Sequence, residues 1–196
     1  LETLSSKGYR QPPCENPPPI YLAGLRGKML ETAAEVGDGV ILNLWPQGAL
    51  PKMLKHIKLG AERAGKNFED VEVVNRAMVL VTDDKALGRN IFRAAFGPYY
   101  ATPVYNKFLA WAGYEEAAAT IREGWAAKDR EKTAAAMSDD MVDEIAVIGT
   151  AEEVQERIRS DAHTGVHTQI IAPMAATPED AMRTFGAFTA DNFAFN

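Results

Sequence analysis

Apolar residues along this chain fall into short unbroken runs separated by stretches of helical period. The runs are Ile20–Gly24 (IYLAG), Val40–Leu44 (VILNL), Val71–Val81 (VEVVNRAMVLV) and Val166–Ala172 (VHTQIIA). Runs of this length, rich in β-branched residues, mark strands, and continuous ones mark strands buried on both faces of a parallel sheet. Between them, Met29, Leu30, Ala33 and Ala34 share one helical face, and Gly37 and Gly39 close that helix around Asp38. Leu50, Met53, Leu54, Ile57, Ala61 and Ala64 form a second apolar stripe, ended by Gly65. Residues 84–142 read as several helices, opened by Asp83-Asp84 and broken near Gly97-Pro98 and Pro103, a helical excursion between strands. Thr150-Ala-Glu-Glu153 is a capping box that predicts a helix over 151–162, and Thr177-Pro178-Glu179 opens a last helix carrying Met182, Phe185 and Phe188. The order β-α-β-α-β-(α)n-β-α demands parallel pairing with right-handed crossovers. It leaves two architectures, a doubly wound sheet or about half of an eight-stranded (β/α)8 TIM-type barrel.

The first 19 residues have a different character, since Pro12-Pro13 and Pro17-Pro18-Pro19 favour extended backbone. Residues 1–19 are therefore an arm or linker, and 20–196 form the folded unit. The chain opens on Leu1 instead of methionine, which suggests the remainder of a longer protein. Its net charge of −6 comes from 27 acidic and 21 scattered basic residues, so a nucleic-acid or anionic-membrane partner is not expected and a small-molecule one is. The single cysteine, Cys14, permits neither an internal disulfide nor a cysteine zinc site. No apolar run approaches the roughly 18 residues of a membrane span. The expectation is a cytoplasmic protein.

The candidate chemistry begins at Gly24-Leu25-Arg26-Gly27-Lys28, between a strand and a helix. A Walker loop needs four residues between its first glycine and Gly-Lys, followed by Ser or Thr, and a dinucleotide fingerprint needs a third glycine; this stretch satisfies neither. Two readings remain open from spacing: a phosphate held by Arg26, Lys28 and the free amides of a helix N-terminus, or a plain tight turn with solvated side chains. Asn43 and Trp45 follow the second strand, Thr82 and Asp83 the third, and His167 points from an end of the fourth. In parallel α/β folds, polar groups at strand C-terminal ends surround ligands, although Thr and Asp there also cap helices. His163 and His167 are four apart, but Gly165 interrupts any helix between them, so no metal site is expected. The acidic run Asp139-Asp140 and Asp143-Glu144 reads as a solvated helix face. No nucleophile elbow, HExxH or carboxylate pair nominates a catalytic group.

The stretch PPPIYLAGLRGKMLETAAEVGDGVILNL resembles the luciferase-like monooxygenase superfamily, especially its flavin- or deazaflavin-dependent oxidoreductases, in which a PPIYLA strand leads into G-x-K-M-L and a DGV strand. GAERAGKNFEDVEV and IGTAEEVQERI resemble later segments of the same family. The resemblance implies a (β/α)8 barrel of which this chain supplies strands five to eight. It implies an oxidoreductase or monooxygenase acting on a small organic substrate with coenzyme F-420, a deazaflavin, or FMN. It also places the cofactor phosphate on Gly24, Leu25, Arg26, Gly27 and Lys28; the strand-end residues Asn43, Trp45 and His167 are then expected to line the substrate mouth. Many members have Gly-Pro-Lys where this chain has Arg26-Gly27-Lys28, and the G-x-K-M-L form favours the deazaflavin. The family's proton-handling residues belong to the barrel half that precedes these strands, so none carries over. The chain's partners are then the missing N-terminal barrel half or a second copy, in a homo-oligomer. A different class of function also follows from the missing acid–base groups: a non-catalytic α/β binding or assembly module.

Overall fold

The computed structural model describes residues 15–162 and 164–195; Cys14, His163 and most of the proline arm lie outside the described residues. The first strand, β1 (Tyr21–Ala23), leads into α1 (Gly27–Val36), β2 (Gly39–Asn43), α2 (Leu50–Arg63) and β3 (Glu72–Val81). The helical excursion is α3 (Lys85–Ala101), α4 (Pro103–Trp111), α5 (Glu115–Ala126), α6 (Arg130–Ala135) and α7 (Asp139–Ile145). The chain then returns through β4 (Ala146–Gly149), α8 (Ala151–Ala162), β5 (Thr168–Pro173) and α9 (Pro178–Ala187). The two capping boxes form as their sequences predict, Thr150 with Glu153 and Thr177 with Asp180.

All strand pairs are parallel, and β1, β2 and β3 are neighbours in chain order. The ten-residue β3 is the hub. Glu72 N–H donates to Asp38 O and Thr82 N–H to Gly149 O, so the even residues of β3 bond first to β2 and then, further along the same edge, to β4. His167 N–H donates to Val73 O and Met174 N–H to Val79 O, so the odd residues bond to β5 on the other edge. The sequence pattern predicts four strands; the additional one, β4, follows α7 with no turn residue between them, so Ile145–Ile148 continues the helix's apolar pattern. A doubly wound sheet reverses its strand order and carries helices on both faces. Here β1-β2-β3-β5 is sequential, and α1, α2, α8 and α9 cover one face. Val40, Leu42 and Val73 pack under α1 and α2, while Ala77, Val79 and Val81 pack under α8 and α9. That is the arrangement of half a barrel.

The opposite, inner face carries Tyr21, Ala23, Ile41, Asn43, Arg76, Thr168 and Ile170, and the excursion roofs only its far end through Met78, Leu80 and Ala172. Glu72 links this face at the strand N-termini by accepting hydrogen bonds from Tyr21 Oη and Thr168 Oγ1. Three apolar residues of the predicted helices are left uncovered: Met29 is exposed beside Leu30, and Met182 and Phe185 are 67% and 50% exposed on α9, where Thr184 and Ala187 are the buried pair. Helical period identifies an apolar face but not what covers it.

Inside the α1–α2 contact, the buried Glu31 carboxylate meets His56 Nδ1 at 2.7 Å and also accepts from Arg63. The His56 bond, and after it the Arg63 bond, hold its carboxyl below the ordinary value of 4.5. A depressed carboxyl stabilises the fold above that ordinary value, and the contribution is lost as pH falls through the folded-state value. Urea midpoints measured from pH 7 down to pH 3 should therefore drop more steeply below about 4.5 for the unsubstituted protein than for Glu31→Gln. Parallel curves would remove Glu31 from the acid response.

Candidate functional site

The turn after β1 is shaped by two glycines. Gly24 N–H donates to Ile41 O at 3.2 Å, and a Cβ on Gly24 would lie 3.0 Å from Leu30 Cδ2 and 3.3 Å from the Leu30 backbone. The chain thus folds tightly onto its own helix. Arg26 is extended, and Gly27 opens α1 at φ +45°, a left-handed conformation that favours glycine. No side chain caps α1, and its first turn holds no acidic residue, only Lys28. The N–H groups at such a terminus have no intrahelical acceptor and carry partial positive charge. With Arg26 and Lys28 beside them, they make an anion-attracting corner.

That corner opens into a cavity of about 630 Å³ at the C-terminal ends of β1 and β2. The whole turn from Gly24 to Lys28 lines it, with Ile41 and Asn43 as floor and Val104, Tyr105 and Trp111 of α4 as the far wall. Asn43 Nδ2 donates to Tyr105 Oη at 3.2 Å, and Arg76 Nη1 donates to Asn43 Oδ1 at 3.3 Å, so both ends of the amide are held. Trp111 is fixed by Lys52, whose Nζ donates to Trp111 O at 2.8 Å and lies 4.1 Å from the ring centroid. The excursion's aromatics therefore divide: Phe92, Tyr100 and Phe108 are buried in the core, while Tyr105 and Trp111 face the cavity.

Two residues expected at the mouth lie elsewhere. Strict alternation would set Trp45 on the same face as Asn43. Leu44 breaks it with φ +52°, a left-handed conformation held by Tyr100, whose hydroxyl donates to Leu44 O at 2.8 Å. Burial pushes the Tyr100 phenol well up, so it stays a neutral donor. Leu44 then faces the excursion, and Trp45 turns into the core under α1 and α2, donating from Nε1 to Asn75 Oδ1 at 2.9 Å. His167 precedes β5 and sits at its N-terminal end, where Nδ1 accepts from Val73 N–H at 2.9 Å. The cavity is at the other end of the strands. Thr82 and Asp84 serve the start of α3: Thr82 Oγ1 accepts from Asp84 N–H and Asp84 from Leu87 N–H. The acidic run forms ion pairs, Asp139 and Asp143 with Arg89 and Asp139 also with Arg93. Sequence reasoning passed over Arg76, although a charged residue inside an apolar parallel-sheet strand was a visible signal. Among the described residues no group of side chains is arranged to hold a metal ion, and no helix is long and apolar enough to cross a membrane.

Residues 3–168 match the family model described as luciferase-like monooxygenase. The chain is 29% identical over 165 residues to a 5,10-methylenetetrahydromethanopterin reductase of Archaeoglobus fulgidus, covering 82% of this chain and 49% of that protein. Among solved structures, the coenzyme F420 dependent tetrahydromethanopterin reductase of Methanopyrus kandleri superposes with a TM-score of 0.70 at 20% identity, over 90% of this chain and 51% of that one. An F420-dependent secondary alcohol dehydrogenase in complex with an F420-acetone adduct gives 0.66 at 16% identity, over 92% and 50%. At these identities the superpositions speak for the fold, half of a TIM-type barrel. The chain spans about half the length of the curated relatives it matches. Since the family model covers most of its residues, the chain belongs to the luciferase-like monooxygenase family.

Proposed function

We propose that the complete protein is an oxidoreductase that uses a reduced deazaflavin of the F420 type, or FMN, on a small organic substrate, and that α1 anchors the cofactor's phosphate. One observation carries the reading: the uncapped, basic, acid-free first turn of α1 opens into a cavity at the strand C-termini, the edge where parallel α/β folds bind ligands. The residues present fit such a group. Arg26 and Lys28 bring two positive charges, glycine at position 27 leaves the backbone open to close approach, and nothing lies within 4 Å of a Cβ built there. The two superposed proteins are F420-dependent, which supports the deazaflavin over FMN.

When bound, the cofactor supplies the redox chemistry; the protein binds, orients and shields it. Arg26, Lys28 and the amides of Gly27 and Lys28 hold the phosphate. Asn43 and Tyr105 present polar groups to the ligand, and Trp111 with Val104 keeps water from the adjoining wall. The inner face, with Ile170 44% exposed, and the open outer edges of β1 and β5 call for cover. We assign that cover to a further half-barrel, in the same polypeptide or a second copy, which also brings the acid–base groups. The reading as a non-catalytic module is not favoured, because the relatives are enzymes about twice this length.

Fluorescence titration of the full-length protein with the deazaflavin coenzyme and with FMN tests the anchor. Arg26→Ala with Lys28→Ala should weaken binding at least about tenfold, as expected for loss of charge-assisted hydrogen bonds. Binding of riboflavin, which lacks the phosphate, should hardly change. Unaltered affinity for both phosphorylated cofactors would sink the assignment.

A further inference from the structure

Resting on that cofactor reading, we propose that Arg76 is a second ligand-holding cation of the site, which receives the carbonyl–nitrogen edge of the cofactor's ring and favours the reduced, anionic form of that ring. Arg76 interrupts the apolar run of β3 and projects on the inner face, in register with Asn43 of β2 on one side and Ile170 of β5 on the other. Its two hydrogen bonds both use Nη1, to Asn43 Oδ1 and to Met78 Sδ, each at 3.3 Å. Nε and Nη2 are left without an acceptor among the described residues. No carboxylate there pairs with it, whereas Arg89, Arg93 and Arg157 all have acidic partners.

Its surroundings make this unusual. Arg76 is exposed on the inner face of this half-barrel, just outside the cavity lining and beside Ile41, Val74, Met78 and Ile170, and a second half-barrel closed over that face would take the guanidinium out of bulk water. A desolvated cation without a counter-charge is costly, so the site calls for an electron-rich partner. Asn43 ties Arg76 to the cavity: its amide accepts from Arg76 and donates to Tyr105 Oη, and Tyr105 lines the same cavity. Because Tyr105 Oη already accepts from Asn43, its own proton is free for the ligand. The phosphate corner follows β1, and β3 lies two strands away, about 10 Å at the usual strand spacing. A phosphate ester anchored at α1 and extending past Asn43 would bring its other end toward Arg76. A fixed positive charge beside a flavin-type ring stabilises the form carrying more negative charge.

The test titrates the full-length protein, anaerobically, with oxidised and with reduced deazaflavin coenzyme, comparing the unsubstituted protein with Arg76→Gln and Arg76→Lys. Arg76→Gln should weaken binding of the reduced form about tenfold more than that of the oxidised form, lowering the bound couple's potential by about 30 mV. Arg76→Lys, which keeps the charge, should recover most of the difference. An unchanged ratio in Arg76→Gln overturns the proposal. So does a lower melting temperature of the ligand-free protein with both affinities intact, which makes Arg76 an ion-pair partner within the closed barrel. If the unsubstituted protein binds neither form, the cofactor reading falls as well. If it binds both through Arg26 and Lys28 and only the ratio fails to move, this inference alone is lost.

Discussion

Phe108→Ala is expected to destabilise the folded chain by about 3–5 kcal/mol, the usual cost of removing a buried aromatic side chain from a core that cannot collapse around the gap. Phe108 is fully buried and belongs to the same core cluster as Leu30, Met53 and Ile57. It is the deep anchor of α4, and its ring stacks on Trp111 with centroids 6.1 Å apart. The helix has other ties. Asn106 donates from Nδ2 to the carbonyls of Tyr100 and Ala118 and accepts from Arg122, so α4 should stay attached to the excursion. What Phe108→Ala loosens is its hold on α1 and α2, and therefore the wall formed by Tyr105 and Trp111. Urea unfolding should show the loss in the midpoint, and the same variant should bind the cofactor more weakly at temperatures where it is still folded. A loss below about 1 kcal/mol would mean that α4 is not held by this contact.

Gly60→Ala should destabilise the chain by about 2 kcal/mol net, although alanine is the better helix former. The intrinsic preference favours the substitution by about 1 kcal/mol. Against it, a Cβ at position 60 would lie 2.1 Å from Glu31 O, 2.8 Å from Glu31 C and 2.9 Å from Glu31 Cα. All three atoms are backbone, so no rotamer relieves the overlap and α1 must move away from α2. Overpacking of this kind costs about 3 kcal/mol, and the clash outweighs the propensity. Separation also stretches the 2.7 Å contact between Glu31 and His56 and uncovers Leu30, Ala33 and Ala34. Differential scanning calorimetry checks this directly: a melting temperature equal to or above that of the unsubstituted protein contradicts the close approach.

Most elements could be read from the residues because their signals are local. Strands β1, β2, β3 and β5 are β-branched or apolar runs, α1 and α2 follow helical period, and α8 and α9 begin at capping boxes a few residues long. The strand β4 was hidden because Ala146–Gly149 abuts α7 with nothing to punctuate the change. The turn from Gly24 to Lys28 was also visible, as was Asn43, since both lie next to the ends of obvious strands. Trp45 and His167 were misplaced for two different reasons. Trp45 depends on the left-handed turn at Leu44, which a tyrosine 56 residues further along helps to hold. His167 lies at the N-terminal end of β5, whereas the cavity lies at the C-terminal ends of the strands.

The sequence by itself determined the alternation of strands and helices, the parallel pairing it requires, the family resemblance and the turn that we propose takes a phosphate. Each of these rests on local patterns of neighbouring residues, or on the order in which such patterns follow one another along the chain. Only the tertiary structure decided that the sheet is wound on one side, that α4 supplies the far wall of the cavity, and that Asn43 is clamped between Arg76 and Tyr105. These depend on contacts between residues about 30 to 90 positions apart, whose pairing is set by the packing of whole elements and leaves no trace in local period or propensity.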